Sequence, residues 1–346
     1  MRGPVTAAVC LALLSGGCFL THGPDEPPPD AAWVVPEDGG ACTPGSACDC
    51  RAADPVPAGV HLVGANLPWE PRCDPFCDVD LSGPAHEVTL TRGVWLGRHE
   101  ATSGCYGRCV REGGCSAGDV LFLSSPDAPP SNIEEGCWRE PSNALLPVVD
   151  LAYDAASRYC AWLGGRLPTN AEWEKAARGE RGKRWPWAPD PVDPENVTWD
   201  ELSVLQREWR TEIPAHIPAA EYGGDAVVPV GSFPDGRGRY GHLDLVGNAA
   251  EWVLDWLVMY TAEPEVDPRG PTGPAGPLPD WPDARTLRGW DFFVWDRTPA
   301  DPVHRERENY SVWSTTSHPI GARCAFDAPP EPLPMWESME VGAGAR

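Results

Sequence analysis

Gly165-Arg166-Leu167-Pro168-Thr169-Asn170-Ala171-Glu172-Trp173-Glu174-Lys175-Ala176-Ala177-Arg178-Gly179 is the stretch on which the fold turns. Thr169 can accept a hydrogen bond from the Glu172 amide while the Glu172 carboxylate reaches back to the Thr169 amide, a capping box. A helix is therefore predicted from Thr169 to about Arg178, stopping at Gly179. Just upstream, Ala156, Tyr159, Cys160 and Leu163 recur at i, i+3, i+4 and i+7 ahead of Gly164-Gly165, so a helix over about Asp154 to Leu163 turns that stripe to the core. Farther back, Thr102 is placed as the N-cap of a helix running through Val110 and Glu112 and stopped by Gly113-Gly114, which sets Cys105 and Cys109 on one face. Val60 and Leu62, then Val88 and Leu90, alternate with polar or small residues as half-buried strands do, with a long loop holding Cys73 and Cys77 between them. After Gly179 the chain is irregular and Trp-rich (Trp185, Trp187, Trp199, Trp209), with no repeat of fixed period.

Composition narrows the class. The 346 residues are 42% apolar, enough for a sizeable core, while 41 Pro and 36 Gly point to a loop-rich fold and away from a helix bundle. A net charge of −24 repels phosphate backbones and anionic headgroups, so nucleic acid is excluded as a partner class. Lysine occurs only at Lys175 and Lys183, leaving arginine, the better bidentate partner of carboxylates, as the cation. Thirteen cysteines fit an oxidising compartment.

The N-terminus agrees with that compartment. Arg2, the apolar run Val5 to Leu14 and the small residues Ser15-Gly16-Gly17 read as a secretory leader over residues 1–17. Leu14-Ser15-Gly16-Gly17-Cys18 resembles a bacterial lipobox with its Leu one position early, so Cys18 is expected to carry lipid and tie the protein to a membrane of the bacterial cell envelope. The other reading is a plain leader with Cys18 in a disulfide of a secreted or periplasmic protein. Residues 18–57 read as a Pro/Gly/Asp-rich tether in which Cys42, Cys48 and Cys50 form a local disulfide staple, residues 58–328 as one domain, and residues 329–346 as a tail. Long loops must be held by disulfides, buried indoles or oxygen-liganded cations.

Ordered blocks then point to a family. They are Pro57-Ala58-Gly59-Val60, His86-Glu87-Val88-Thr89-Leu90, Arg98-His99-Glu100-Ala101-Thr102, Pro147-Val148-Val149, Tyr159-Cys160-Ala161-Trp162 and the Gly165–Gly179 stretch. Downstream come Trp185-Pro186-Trp187, Val230-Gly231-Ser232-Phe233, Gly247-Asn248-Ala249-Ala250-Glu251-Trp252, Leu287-Arg288-Gly289 and Gly321-Ala322-Arg323-Cys324. From about Pro57 to Asp327 the chain resembles the formylglycine-generating enzyme, or sulfatase-modifying factor, family. The resemblance implies one α+β domain of a modified C-type-lectin-like type, loop-rich, with little regular secondary structure and with structural calcium.

Active members of that family bind copper(I) through two cysteines shortly after an Arg-Gly-Gly-Ser block and use oxygen to oxidise a substrate cysteine to formylglycine. Two soft thiolates suit monovalent copper. Here no cysteine lies between Cys160 and Cys324, and Val294 and Pro299 occupy the two thiol positions after Gly289-Trp290-Asp291, so copper is not expected and no catalytic residue is assigned. The resemblance does imply calcium at Asp244 and Glu251 through side-chain oxygens and at Gly247 and Ala249 through carbonyls, a hard-cation set. The other reading of Glu251 is a pairing with an arginine. A second calcium site would begin at Asn196 and the Val197 carbonyl and end at Asp225 or Glu221. Cys160 and Cys324 match a family disulfide, and Cys105, Cys109, Cys115 and Cys137 are expected to staple the insertion before Pro147. With Cys18 acylated and Cys160 bonded to Cys324, an odd number of cysteines remains in the mature chain.

The function expected is a calcium-stabilised binding or scaffolding module whose former catalytic groove takes a protein, peptide or glycan. Trp290, Asp291, Trp295, His304 and His318 are the candidate groove residues. Trp162, Trp173, Trp252 and Trp256 are assigned to the core, the last two on helical spacing. The alternative is an oxidoreductase of the same family acting on a protein or small-molecule thiol through another metal site, with His304, His318, Asp291 and Asp296 as ligands. No Gly-x-Ser-x-Gly elbow supports a serine hydrolase.

Overall fold

The computed structural model describes residues 49–64, 83–120, 144–183, 186, 227, 229–273, 284–289, 306–309, 320–331 and 333. Among the described residues there are three α-helices, two of which open on a side-chain cap. Thr102 Oγ1 accepts from the Cys105 amide at 3.3 Å to open α1 (Ser103–Arg111), and Gly113, at φ +78°, follows its end. Helix α2 (Tyr153–Trp162) buries Tyr153, Ala155, Ala156, Tyr159 and Cys160. Helix α3 (Asn170–Arg178) carries the complete capping box, Glu172 N to Thr169 Oγ1 at 3.2 Å and Thr169 N to Glu172 Oε2 at 2.8 Å, and ends at Gly179. Every residue of α3 is buried, including Glu174, Lys175 and Arg178, so this helix is a central post and not a surface element.

Ten short strands make three small sheets around it. Strand β4 (Val94–Gly97) lies between β1 (Ala53–Val56) and β10 (Ala325–Phe326), antiparallel to both. Strand β3 (His86–Leu90) pairs antiparallel with β2 (Gly59–Val63) and parallel with β6 (Glu265–Val266). The third sheet runs β8-β7-β5-β9, where β5 is Ala250–Trp256, β7 Ala284–Arg288, β8 Glu306–Asn309 and β9 Ile320–Ala322. The main core fills the space between α1, α2 and this sheet with Tyr106, Tyr159, Trp252, Leu287 and Phe326 among others. Among the described residues no helix is long and apolar enough to cross a membrane.

Four sequence expectations are corrected. Regular structure begins at β1, inside the segment read as tether, because β1 pairs with β4 and Val56 is fully buried. Cys50 is not in a local staple with Cys42 or Cys48; it bonds Cys105 on α1, while Cys109 bonds Cys115. In β2 the alternation is inverted: Val60 is 50% exposed, whereas His61 and Val63 are buried against α3 and β3, since His61 Nε2 meets the Ala171 carbonyl at 3.1 Å. Trp252 and Trp256 stand on a strand, not a helix; Trp252 is buried and Trp256 half-buried. A separation of four residues returns to the same face in either element, so spacing alone could not tell them apart.

Candidate functional site

Two buried charge networks meet near Arg288 and Gly289. The first is built by the turn that leads into β5, where Asp244, Gly247 and Asn248 all take positive φ (55°, 83° and 66°). This contorted backbone turns polar groups inward ahead of a strand whose first residues are buried. Glu100 lies under the turn, accepting from Asn248 Nδ2 and the Ala249 amide, each at 2.9 Å. Glu251 accepts from Arg323 Nη2 at 2.7 Å and Nε at 3.0 Å, and from Trp173 Nε1 at 2.6 Å. The pairing of Glu251 with an arginine, left open by the sequence, is thus made, and the arginine is Arg323. Arg323 also donates to the Gly97 and Leu243 carbonyls, with no exposure of its own.

Asp244 Oδ2 accepts from the Gly231 amide at 2.5 Å, while Oδ1 is buried with no partner. Burial pushes the Asp244 carboxyl up to about 6. Burial first, then the charges of Asp244 and Glu251, push Glu100 well above the ordinary carboxylate range. Three buried carboxyls thus share one guanidinium, and one carboxylate oxygen is left over. An orphaned, buried, hard oxygen is what a cation of calcium type would satisfy, so Asp244 fits the expected role. Among the described residues no three His, Cys, Asp or Glu side chains gather as a ligand set, so such an ion would have to draw on backbone carbonyls as well.

The second network hangs on Arg288 at the end of β7. Its Nε donates to Asn170 Oδ1 at 2.6 Å, and its Nη2 donates to Glu174 and to the Tyr260 hydroxyl, the latter at 3.0 Å. Glu174 also takes Arg178 Nη1 at 2.5 Å and the Gly64 amide at 2.7 Å. Burial works to raise the Glu174 carboxyl, but Arg288 and Arg178 outweigh it and hold the group below its usual range. Trp173 joins the two networks, with its indole nitrogen on Glu251 and its ring 5.6 Å from the Arg288 guanidinium. Gly289, at φ +90°, follows and receives the Gly247 amide on its carbonyl at 2.7 Å. A Cβ at Gly289 would stand 3.4 Å from the Trp173 ring in a left-handed backbone, so glycine suits this position.

Arg288 and Gly289 are therefore held on every side just ahead of the expected groove residues in the chain. Trp290, Asp291, Val294, Trp295, Pro299, His304 and His318 lie outside the described residues, as do Asn196, Val197, Asp225, Cys18 and Cys137. Of the expected site residues the structure brings Asp244, Gly247, Ala249 and Glu251 into one turn and strand, and it bonds Cys160 to Cys324. Glu100, Glu174, Arg288 and Arg323 carried no assignment from sequence; only Arg288, between Leu287 and Gly289, and Arg323, between Ala322 and Cys324, sit among apolar or small neighbours, the available signal for a buried ion pair.

Residues 46–328 match the Sulfatase-modifying factor enzyme 1-like domain family. The chain belongs to that family. A formylglycine-generating enzyme of Streptomyces coelicolor is 32% identical over 332 residues, covering 86% of this chain and 97% of that protein. The bovine formylglycine-generating enzyme is 28% identical, and this chain spans 61% of its length. A second bovine relative, the inactive C-alpha-formylglycine-generating enzyme 2, is 31% identical over 208 residues, 57% of this chain and 58% of that protein. Among solved structures, PvdO from Pseudomonas aeruginosa superposes with a TM-score of 0.53 at 23% identity, over 83% of this chain and 99% of that one, a likeness of fold. The sulfatase-modifying-factor fold accounts for the mixture seen here of few helices, short strands and much loop, and the expected α+β class holds.

Proposed function

We propose that this protein is an envelope-anchored sulfatase-modifying-factor-like module without copper-dependent formylglycine-generating activity, which binds or scaffolds a partner and is stabilised by calcium. The observation that carries the reading is the absence of any cysteine between Cys160 and Cys324 in a chain that belongs to the family. Val294 and Pro299, at the positions of the lost thiols, offer no side-chain ligand to a soft metal. A relative named as inactive, at 31% identity, is consistent with a family whose fold outlives its chemistry.

On this reading the chain beyond Arg288 and Gly289 presents Trp290, Asp291, Trp295, His304 and His318 to a protein, peptide or glycan. Tryptophan suits such ligands, since it supplies a large contact area at small cost in side-chain entropy. Calcium would be held by Asp244, Glu251 and the Gly247 and Ala249 carbonyls, and a second ion by Asn196, Val197 and Asp225. When bound, the ion supplies positive charge among buried carboxyls. Glu251 already receives four donor contacts from Arg323 and Trp173, two on each oxygen, so a cation there would share an oxygen with Arg323 and would rest mainly on Asp244 and the carbonyls. Lipid on Cys18 would hold the domain at the membrane by way of the segment that precedes Asp49.

The test is mass spectrometry of a cysteine-containing sulfatase-type peptide incubated with the purified domain, calcium, copper and oxygen, beside an active family member. The peptide is expected unchanged while the control converts. Formation of formylglycine by this domain would overturn the reading.

A further inference from the structure

A small cleft outside the expected groove holds arginines whose hydrogen-bonding capacity is only partly used. Its volume is about 60 Å³, and it lies between the turn that joins β3 to β4, the loop after β6 and the segment that leads into α3. Arg92, Arg166 and Arg269 line it together with Glu172, Asp267 and Asp327. It shares no residue with the Asp244–Glu251 cluster or with the expected groove.

The three acids are already committed. Asp267 takes the Thr91 amide on Oδ1 at 2.8 Å and the Thr91 hydroxyl on Oδ2 at 2.5 Å, which ties the loop after β6 to the turn after β3. Glu172 receives Arg166 on both oxygens at 2.8 Å and the Thr169 amide at 2.8 Å, and Asp327 receives Arg166 Nη2 at 2.9 Å. Arg166 is committed as well, through Nη1 and Nη2, whereas Arg92 and Arg269 are not. Arg92 and Arg269 are exposed, near enough to act on the charge of Asp267, and among the described residues neither makes a hydrogen bond or ion pair. Arg166 keeps its Nε–H buried and without a partner. A buried charged donor left unmade costs free energy.

Three guanidiniums against three carboxylates leave the empty cleft near neutrality, so mutual repulsion of the arginines does not open it. The spare capacity is nonetheless all donor, and it lies on Arg92 and Arg269, which come from two separate chain segments. A planar carboxylate presents two oxygens in one plane, whereas a tetrahedral oxyanion presents oxygens in several directions and meets forked guanidiniums bidentately. We propose that this cleft binds a tetrahedral dianion, sulfate or phosphate, either free or as the terminal ester of a larger molecule.

Isothermal titration calorimetry on the purified domain, with sodium sulfate, sodium phosphate, glucose 6-phosphate and sodium acetate at matched ionic strength, tests this. Saturable heat is expected from the dianions and not from acetate. Tighter binding of the sugar phosphate than of the inorganic ion would assign an ester as the ligand, and the reverse order a free ion. The double substitution Arg92→Ala/Arg269→Ala, at exposed positions, should weaken binding at least about tenfold. Asp327→Asn removes a negative charge from the rim and should tighten binding, an effect that a merely structural role would not produce and that decides the matter if the double variant fails to fold. Absence of saturable heat from any dianion, equal binding of acetate, or unchanged affinity in a folded Arg92→Ala/Arg269→Ala protein would overturn the proposal. General salt stabilisation by sulfate is non-saturable and independent of these arginines, so it cannot pass for the site.

Discussion

Arg323 and Glu251 show how much a single residue can decide in this protein. Both are fully buried, and the guanidinium faces Glu251 while Glu100 and Asp244 stand close by. Removing one partner of such a pair leaves an uncompensated buried charge, so Arg323→Ala should cost about 3–5 kcal/mol in urea unfolding. The i,i+4 pair Arg108–Glu112, whose carboxylate is exposed, gives the contrast: Glu112→Ala should cost no more than about 0.5 kcal/mol. Two histidines add a pH dependence. Burial holds His61 and His242 at about 4, below the ordinary 6.5. Between those values the unfolded chain binds protons that the folded chain refuses, so stability is complete above about 6.5 and falls as pH drops towards 4. Each histidine contributes on the order of 3 kcal/mol to that loss. In the double variant His61→Gln/His242→Gln, the slope of unfolding free energy between pH 7 and pH 4.5 should flatten relative to the parent protein; an unchanged slope would place the acid sensitivity elsewhere. Neither histidine stood out in the sequence, because an alternating strand pattern places Val60 and Leu62, not His61, in the core.

At the scale of elements, what could be read in advance is what neighbours along the chain decide. The capping box closes within three residues, and α3 forms where Thr169 and Glu172 place it. The partner of Cys50 is 55 residues away, and only the docking of β1 onto β4 brings it to α1. Disulfide loop length then ranks the bonds. Cys160–Cys324 closes a separation of 164 residues and Cys109–Cys115 one of 6. In the chain-entropy account these constrain the unfolded state by about 5 and about 2 kcal/mol. Guanidinium unfolding of the paired alanine variants should therefore show the larger loss for Cys160→Ala/Cys324→Ala; equal losses would mean that residual structure in the unfolded chain, and not loop closure, sets the ranking.

For the whole molecule the question is what holds a domain with so little regular structure. Small sheets and loops are cross-linked here by disulfides, by the buried Arg288–Glu174 and Arg323–Glu251 networks, and on our reading by calcium. Calcium added to EDTA-treated protein should raise Tm saturably, by the equivalent of about 2.7 kcal/mol at a hundredfold excess over Kd. Asp244→Asn, which keeps the hydrogen-bonding oxygen and removes the charge, should lose most of that rise. A flat Tm in the parent protein would remove calcium from the proposal and leave Asp244 Oδ1 as an unsatisfied group.

The sequence by itself determined the helices, the net charge of −24, the ordered blocks of the family and the absence of cysteine between Cys160 and Cys324, because each is a matter of residue identity or of hydrogen bonds a few residues long. Only the tertiary structure decided that β1 belongs to the domain, that Cys50 joins Cys105, that His61 faces inward and that Arg323 is the cation of Glu251, 72 residues away. Those choices depend on which surfaces exclude water together and which charges are left facing one another once they do, and neither can be evaluated from neighbours along the chain.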